Sequence, residues 1–229
     1  MAAMSEPHED FMKLALQLAQ EGRGAVEPNP MVGAVIVRGD RVIASGYHQE
    51  FGGVHAEREA IADAERKGAN LRGATMYVTL EPCCHYAKTP PCTAAIISSG
   101  IRRVVIAMED PDERVAGRGI QQLLSARIKV TLGFCEDEAR QLMAPYVKLK
   151  TQHQPWVICK WAQTSDGYLA LPEGQGRWIT SDEAREHVHL LRGQCDGILV
   201  GSETVIRDDP LLTNRSQWST GPARQPGRV

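Results

Sequence analysis

A histidine, a glutamate and two cysteines in the first half of this chain have the types and order of a zinc site that activates water. His55 and Glu57 stand at the start of a helix-like stretch, Cys83 follows a β-branched run, and Cys92 comes after a loop. Zinc prefers His nitrogen and Cys thiolate, and a catalytic zinc keeps three protein ligands and one open position. We therefore expect His55, Cys83 and Cys92 to bind zinc and Glu57 to act as the catalytic proton shuttle.

A second interpretation of the same residues is a structural zinc module without turnover. In such a module the fourth ligand would be Cys84 or His85, which lie between the two cysteines. A closed set of four ligands leaves no position for water. Glu57 beside the metal favours the catalytic interpretation, because a structural site has no need for a proton shuttle.

Hydrophobic periodicity places these residues on an alternation of strands and helices. It predicts helices at residues 11–20, 55–67, 93–99, 119–126 and 137–150, and strands at 32–37, 41–45, 75–80, 103–108 and 129–132. Pro145 is expected to kink the last of these helices. The alternation predicts an α/β domain whose helices cover a mostly continuous sheet, with the metal residues at helix N-termini.

A second unit is predicted after a polar linker at about residues 150–154. We place the domain boundaries at 8–150 and 154–229. In the second unit the pattern predicts a strand at 156–161, a helix at 181–192 and a strand at 197–201, with no element in the tail at 215–229. So few elements would bury little core by themselves.

The amino-acid composition limits the classes of protein to which this chain could belong. The 229 residues are 42% hydrophobic and 24% charged with a net charge of -2, which is ordinary for a soluble globular protein and offers no basic face for nucleic acid. No apolar run is long enough to span a bilayer, and the polar N-terminus does not resemble a signal peptide. Six cysteines suit a reduced, cytoplasmic setting with metal binding. The oligomeric state, including a homo-oligomer, stays open.

Six short motifs resemble the deaminase half of the bifunctional riboflavin-biosynthesis deaminase/reductases. They are P-N-P-x-V-G at 28–33, G-Y-H at 46–48, H-A-E at 55–57, T-L-E-P-C at 79–83, T-P-P-C at 89–92 and V-A-G-R-G at 115–119. Zinc-dependent nucleobase deaminases in general carry a Cys-x-x-Cys pair, whereas eight residues separate Cys83 from Cys92. The resemblance implies a three-layer α/β/α cytidine-deaminase-like domain.

The same resemblance implies a reaction and a set of substrate contacts. The reaction is hydrolytic deamination of 2,5-diamino-6-(5-phosphoribosylamino)pyrimidin-4-one to 5-amino-6-(5-phosphoribosylamino)uracil; a deaminase of another base or nucleoside is the alternative. Asn29 offers a donor and an acceptor to the ring, and His48 and His85 can bond the substrate. Lys88 offers a charge to the phosphate. Asp110 either bonds the ribose hydroxyls or caps the turn that follows it.

Three departures from the family pattern stand out. Cys84 stands where Ser is usual, which places a spare thiol beside the expected zinc. Ala87 replaces Gly, and Asp112-Glu113 replaces Asn-Pro. A negative charge added near a substrate phosphate is unfavourable, so Asp112-Glu113 disfavours the implied phosphate contacts.

The second half resembles the start of the same family's reductase domain, an α/β domain similar to dihydrofolate reductase that uses NADPH. The nucleotide contacts implied by this resemblance are Ala162, Trp178, Thr204 and Asp208. The implied substrate contacts are Arg192, Leu212 and Arg215. The family's reductase domain continues beyond the length present here, so an incomplete domain without reductase activity is expected.

Overall fold

The computed structural model describes residues 8–85, 90–171, 178–218 and 224–229, in two compact units. The first unit ends at Trp156 and the second begins at Val157. Within the described part of the chain, no helix has both the length and the apolar character needed to cross a membrane.

The first unit contains a mixed five-stranded sheet. Its strands are β1 (Gly33–Arg38), β2 (Arg41–Tyr47), β3 (Thr75–Leu80), β4 (Arg103–Met108) and β5 (Lys129–Leu132). Their order is β2-β1-β3-β4-β5, with β1 antiparallel to both neighbours and β3, β4 and β5 mutually parallel. The five predicted strands are confirmed, and so is the predicted hairpin of the first two.

Six helices accompany this sheet among the described residues. They are α1 (Glu9–Gln20), α2 (Ala56–Arg66), α3 (Cys92–Ser99), α4 (Arg118–Ser125), α5 (Glu136–Leu142) and α6 (Ala144–Gln152). The single kinked helix predicted at 137–150 is instead two helices separated at Met143. Pro145 lies at the start of α6, where its missing N–H leaves no intrahelical bond unmade.

Close packing at two glycines shows that α1 and α2 cover opposite faces of the sheet. A Cβ on Gly33 would lie 2.0 Å from the Ala15 carbonyl oxygen in α1, and one on Gly46 would lie 2.4 Å from the Ala60 nitrogen in α2. Ala34, the residue after Gly33, pairs with Gly46, and successive strand residues face opposite sides. The three-layer arrangement expected for this unit is therefore present.

The core lies along the three central strands. Val35, Ile36, Met76, Val78 and Ile106 are fully buried, as expected for strands covered on both faces. This packing fixes the ends of β3 and β4 relative to the helices that follow, and those ends carry the candidate site.

The second unit has short elements. They are α7 (Asp182–Gly193), β6 (Gly197–Ile198), α8 (Ser202–Asp208) and β7 (Gly227–Arg228), with β6 parallel to β7. Ser181 caps α7 by accepting a hydrogen bond from the Ala184 nitrogen at 3.3 Å, which confirms the predicted helix start.

Three expectations for this unit are wrong. Residues 156–161 form no strand, and Val157 and Trp161 are 69% and 64% exposed. The backbone N–H and C=O groups of a strand form hydrogen bonds with an adjacent strand. Within the described ranges, no strand pairs with residues 156–161. The strand expected at 197–201 has only two residues, and the tail expected to lack structure supplies its partner, β7. The helix α8 was not predicted.

Candidate metal centre

Three side chains from separate elements converge on one point. The Nδ1 atom of His55 lies 3.6 Å from Cys83 Sγ and 3.4 Å from Cys92 Sγ, and the three donor atoms all lie within 4.8 Å of one another. Tetrahedral zinc, with bonds of about 2.3 Å to sulfur and about 2.0–2.1 Å to nitrogen, places N and S about 3.5 Å apart. The distances and the donor set therefore fit zinc.

The local fold explains why these donors meet. His55 is the N-cap of α2, Cys92 is the first residue of α3, and Cys83 follows the end of β3. The backbone nitrogen of Cys92 donates to Cys83 Sγ at 3.3 Å. Helix N-termini carry partial positive charge and stabilise thiolates, so this bond at the start of α3 favours the thiolate form of Cys83.

Proton affinities in the metal-free site follow from the same contacts. A hydrogen bond from Cys92 lowers the pKa of the Cys83 thiol to about 4, against the opposing effect of burial. The hydrogen bond to Cys83, with burial next, raises the pKa of Cys92 well above its usual value. The hydrogen bond to Cys83 also raises the pKa of His55. These contacts favour the thiolate form of Cys83 and the thiol form of Cys92.

Glu57 lies in the first turn of α2, two residues beyond His55, and its side chain is 3% exposed. Burial raises the pKa of Glu57 to about 7, and the negative charge on Cys83 adds to the effect. A carboxyl group with a pKa near the working pH both accepts and releases a proton readily. The geometry thus places a proton carrier directly beside the three metal donors.

Asn29 and His48 are brought to the same region. The His48 ring lies 5.5 Å from the His55 ring, centroid to centroid. His48 Nδ1 donates to the Val54 carbonyl at 2.9 Å, so the neutral ring accepts a hydrogen bond from Asn29 Nδ2 at Nε2, at 3.1 Å. Burial lowers the pKa of His48, which keeps the ring neutral. This orientation leaves Asn29 Oδ1 as an acceptor.

Asp110 is buried at the end of β4. Its Oδ1 accepts hydrogen bonds from Tyr146 Oη at 3.0 Å and from the Asp112 nitrogen at 2.9 Å. Burial raises the pKa of Asp110. The bond from Asp112 matches the turn-capping alternative, and the predicted ribose contact stays a prediction.

The negative charge of Asp112 is compensated within the protein. Its carboxylate accepts hydrogen bonds from Arg114 Nε and Nη2 at 2.9 and 2.6 Å and from Lys150 Nζ at 2.9 Å. These cations, the Arg114 hydrogen bonds first, hold the pKa of Asp112 well below its usual range. The negative charge that Asp112 adds to this region is therefore offset by Arg114 and Lys150.

Glu81 is a site residue that the sequence interpretation missed. Its buried carboxylate accepts hydrogen bonds from the backbone nitrogens of Asp110, Gly117 and Ile120 at 3.3, 2.9 and 3.1 Å. Glu81 thereby ties the end of β3, two residues before Cys83, to the loop after β4 and the start of α4. The only sequence signal was its place in the T-L-E-P-C motif.

Residues 84, 85, 90 and 91 of the loop between the two cysteines are among the described residues. His85 is exposed, and Lys88 and Ala87 lie outside the described residues. Cys84 is half-buried, and among the described residues its thiol does not belong to the group of converging metal donors. Burial raises the pKa of Cys84, so this thiol stays protonated at neutral pH.

Three predicted residues of the second unit lie near Thr213. Arg192 Nη1 donates to the Thr213 carbonyl at 3.1 Å, Arg215 Nη1 donates to Thr213 Oγ1, and Leu212 precedes it. Burial, with the charge of Arg215, lowers the pKa of Arg192. Their predicted substrate role is untested by this arrangement.

The predicted nucleotide contacts of the second unit lie on different segments of the chain. Thr204 and Asp208 lie on α8, and Ala162 and Trp178 lie on irregular chain. Trp178 is 60% exposed, and Thr204 and Asp208 are exposed too. Their predicted contact with a nucleotide stays a prediction.

Two family models match this chain, one in each unit. The family model for the cytidine and deoxycytidylate deaminase zinc-binding region matches residues 5–108, and the model for the RibD C-terminal domain matches residues 155–229. The first match includes the three converging donors and Glu57.

Individual relatives match nearly the whole chain. The riboflavin biosynthesis protein RibD of Aquifex aeolicus is 49% identical over 92% of this chain and 58% of its own length, and that of Escherichia coli is 46% identical over 92% and 56%. A solved deaminase/reductase from Thermotoga maritima superposes with a TM-score of 0.88 at 47% identity, over 96% of this chain and 62% of that one. Acinetobacter baumannii RibD gives a TM-score of 0.87 at 40% identity, over the same shares.

This chain spans less than three fifths of the length of those two curated relatives. Both family models, in the same order, fall on the two compact units described above. The chain is therefore similar to RibD proteins over most of its length, with a deaminase zinc-binding region followed by a RibD C-terminal domain.

Proposed function

We propose that residues 8–150 form a cytoplasmic, zinc-dependent hydrolytic deaminase of riboflavin biosynthesis. Its proposed substrate is 2,5-diamino-6-(5-phosphoribosylamino)pyrimidin-4-one and its product 5-amino-6-(5-phosphoribosylamino)uracil. Residues 154–229 correspond to the N-terminal part of an NADPH-dependent reductase domain. The observation that carries the proposal is the convergence of His55, Cys83 and Cys92 beside the buried carboxyl group of Glu57.

In the proposed mechanism the chain supplies ligands and moves protons. His55, Cys83 and Cys92 would hold zinc, which would supply a water nucleophile that is acidic near neutral pH. Glu57 accepts the proton that this water releases and delivers it to the reacting ring and the departing amino nitrogen. Ammonia then leaves and a carbonyl oxygen replaces the amine, so one water is consumed for each ammonia released.

The neighbouring polar side chains support a heterocyclic substrate. We propose that Asn29, fixed by its hydrogen bond to the neutral His48 ring, presents Oδ1 to an N–H or amino group of the pyrimidine. Asp110 is proposed to contact the ribose, His85 to bond the substrate and Lys88 to contact its phosphate. Glu81 supports Asp110 by accepting a hydrogen bond from its backbone nitrogen.

The test is a substrate panel with ammonia release as the readout. The zinc-loaded protein is incubated with the diaminopyrimidine ribosylamine phosphate, with the same compound lacking phosphate, and with cytidine and deoxycytidylate. We expect ammonia from the phosphorylated diaminopyrimidine at the highest kcat/KM. Turnover of cytidine or deoxycytidylate with none of the diaminopyrimidine would contradict the proposed substrate and support a deaminase of another base.

A further inference from the structure

A buried threonine next to one zinc ligand is hydrogen-bonded to the other ligand's backbone. Thr93 follows Cys92 in α3 and is 0% exposed. Its backbone nitrogen donates to the Cys83 carbonyl oxygen at 3.2 Å, and its Oγ1 lies 3.3 Å from that same oxygen. Cys83 and Cys92 are thus joined through the residue that follows the second of them.

Gln122 in α4 extends this connection to the start of the loop between the cysteines. Thr93 Oγ1 donates to Gln122 Oε1 at 2.7 Å, and Gln122 Nε2 donates to the Cys84 carbonyl oxygen at 3.3 Å. The Thr93 hydroxyl has one proton and serves either Gln122 or the Cys83 carbonyl at a time. Either bond links α3 to the backbone at Cys83 or Cys84, directly or through Gln122.

We propose that Thr93 is a positioning residue that fixes the separation of the two zinc-binding sulfurs, and that Gln122 orients its hydroxyl. The inference rests on the proposed zinc function. Metal–sulfur bonds hold to a narrow range of lengths, so a looser Cys83–Cys92 pair binds zinc more weakly. Loss of a group that orients a metal ligand typically costs about 10–100-fold in metal affinity.

The test measures zinc affinity rather than turnover. The zinc dissociation constants of wild type and Thr93→Val, in which a methyl group replaces the hydroxyl, are compared by competition with a chromophoric chelator. We expect Thr93→Val to bind zinc about 10–100-fold more weakly and Thr93→Ser, which keeps the hydroxyl, to restore the affinity. Gln122→Leu is expected to weaken binding less than Thr93→Val does, because the Thr93 hydroxyl can still donate to the Cys83 carbonyl oxygen.

Ser99→Ala is the matched control. Ser99 lies in the same helix and its hydroxyl donates to the Ile96 carbonyl at 2.7 Å, away from the metal donors. We expect this variant to bind zinc like wild type. Cobalt-loaded protein gives a second readout, because the visible absorption of cobalt reports ligand geometry. We expect this spectrum to change in Thr93→Val and to stay unchanged in Ser99→Ala.

Each outcome decides a different claim. Equal zinc affinity and equal cobalt spectra for Thr93→Val and wild type overturn the role of Thr93, and an unchanged Gln122→Leu overturns the role of Gln122. An equal loss of affinity in Ser99→Ala shows that general destabilisation, not positioning, is responsible. Failure of wild type itself to bind zinc overturns the proposed function instead.

Discussion

Replacement of Glu57 by glutamine separates proton transfer from metal binding. The two side chains have nearly the same size, and Glu57 is not one of the three converging donors. Glu57→Gln therefore keeps the zinc ligands but removes the group that accepts and releases the proton. General acid–base catalysis contributes about 10²–10⁴-fold to rate. We expect kcat to fall at least ~100-fold, which is about 2.7 kcal/mol of transition-state stabilisation.

The environment of Glu57 predicts that this variant still folds. Burial raises the pKa of Glu57 from 4.5 to about 7, so the metal-free native state disfavours the ionised carboxylate. The stabilising effect of the neutral form is present below pH 4.5 and is lost as pH rises through about 7. Above that pH a neutral amide avoids a cost of roughly 3 kcal/mol. Metal-free Glu57→Gln should therefore be at least as stable as wild type at pH 8.

The assay combines three measurements on each protein: ammonia release, bound zinc by atomic absorption, and thermal unfolding of the metal-free form. Glu65→Gln is the control, because Glu65 lies on the exposed side of α2. We expect normal zinc in both variants and lost turnover only in Glu57→Gln. Wild-type turnover in Glu57→Gln would refute the proton-transfer role, and loss of its zinc would show that Glu57 acts on metal binding instead.

Further predictions concern stability. Asp112→Asn should lower the free energy of unfolding at neutral pH by about 1 kcal/mol, because Arg114 and Lys150 lose their charged partner. The pKa of Asp112 is depressed in the folded state, so in urea titrations the difference should be fully present above about pH 4 and should shrink as pH falls further toward the depressed folded pKa. Gly119→Ala should lower the unfolding temperature, because its Cβ would lie 2.1 Å from the Pro82 carbonyl oxygen, whereas Gly201→Ala meets nothing within 4 Å and should not. Chelation of zinc should lower the unfolding temperature and re-addition should restore it.

The sequence was sufficient to predict the first unit because its strands and helices are long and strongly periodic. Val35 and Ile36 belong to a run that is apolar on both faces, which is typical of a central strand. The metal donors could also be predicted from the sequence, because a His and two Cys at strand ends and helix starts are typical of a metal site.

Other features depend on contacts that no local pattern records. The partners of Glu81 are backbone N–H groups, which every residue but proline carries, so nothing in their side chains marks the interaction. Thr93 and Gln122 are far apart in sequence and meet only through the packing of α3 and α4. The apolar residues at 156–161 indicated a strand, but a strand forms only where another chain segment pairs with it.

X-ray absorption at the zinc edge of the wild-type protein tests the central claim most directly. If His55, Cys83 and Cys92 hold a catalytic zinc, the metal has two sulfur ligands at about 2.3 Å, one imidazole nitrogen at about 2.0–2.1 Å and one further light ligand. Cys92→Ser should reduce the sulfur count to one. Three sulfur ligands in wild type would place Cys84 on the metal and contradict an open catalytic position, as would an unchanged sulfur count in Cys92→Ser.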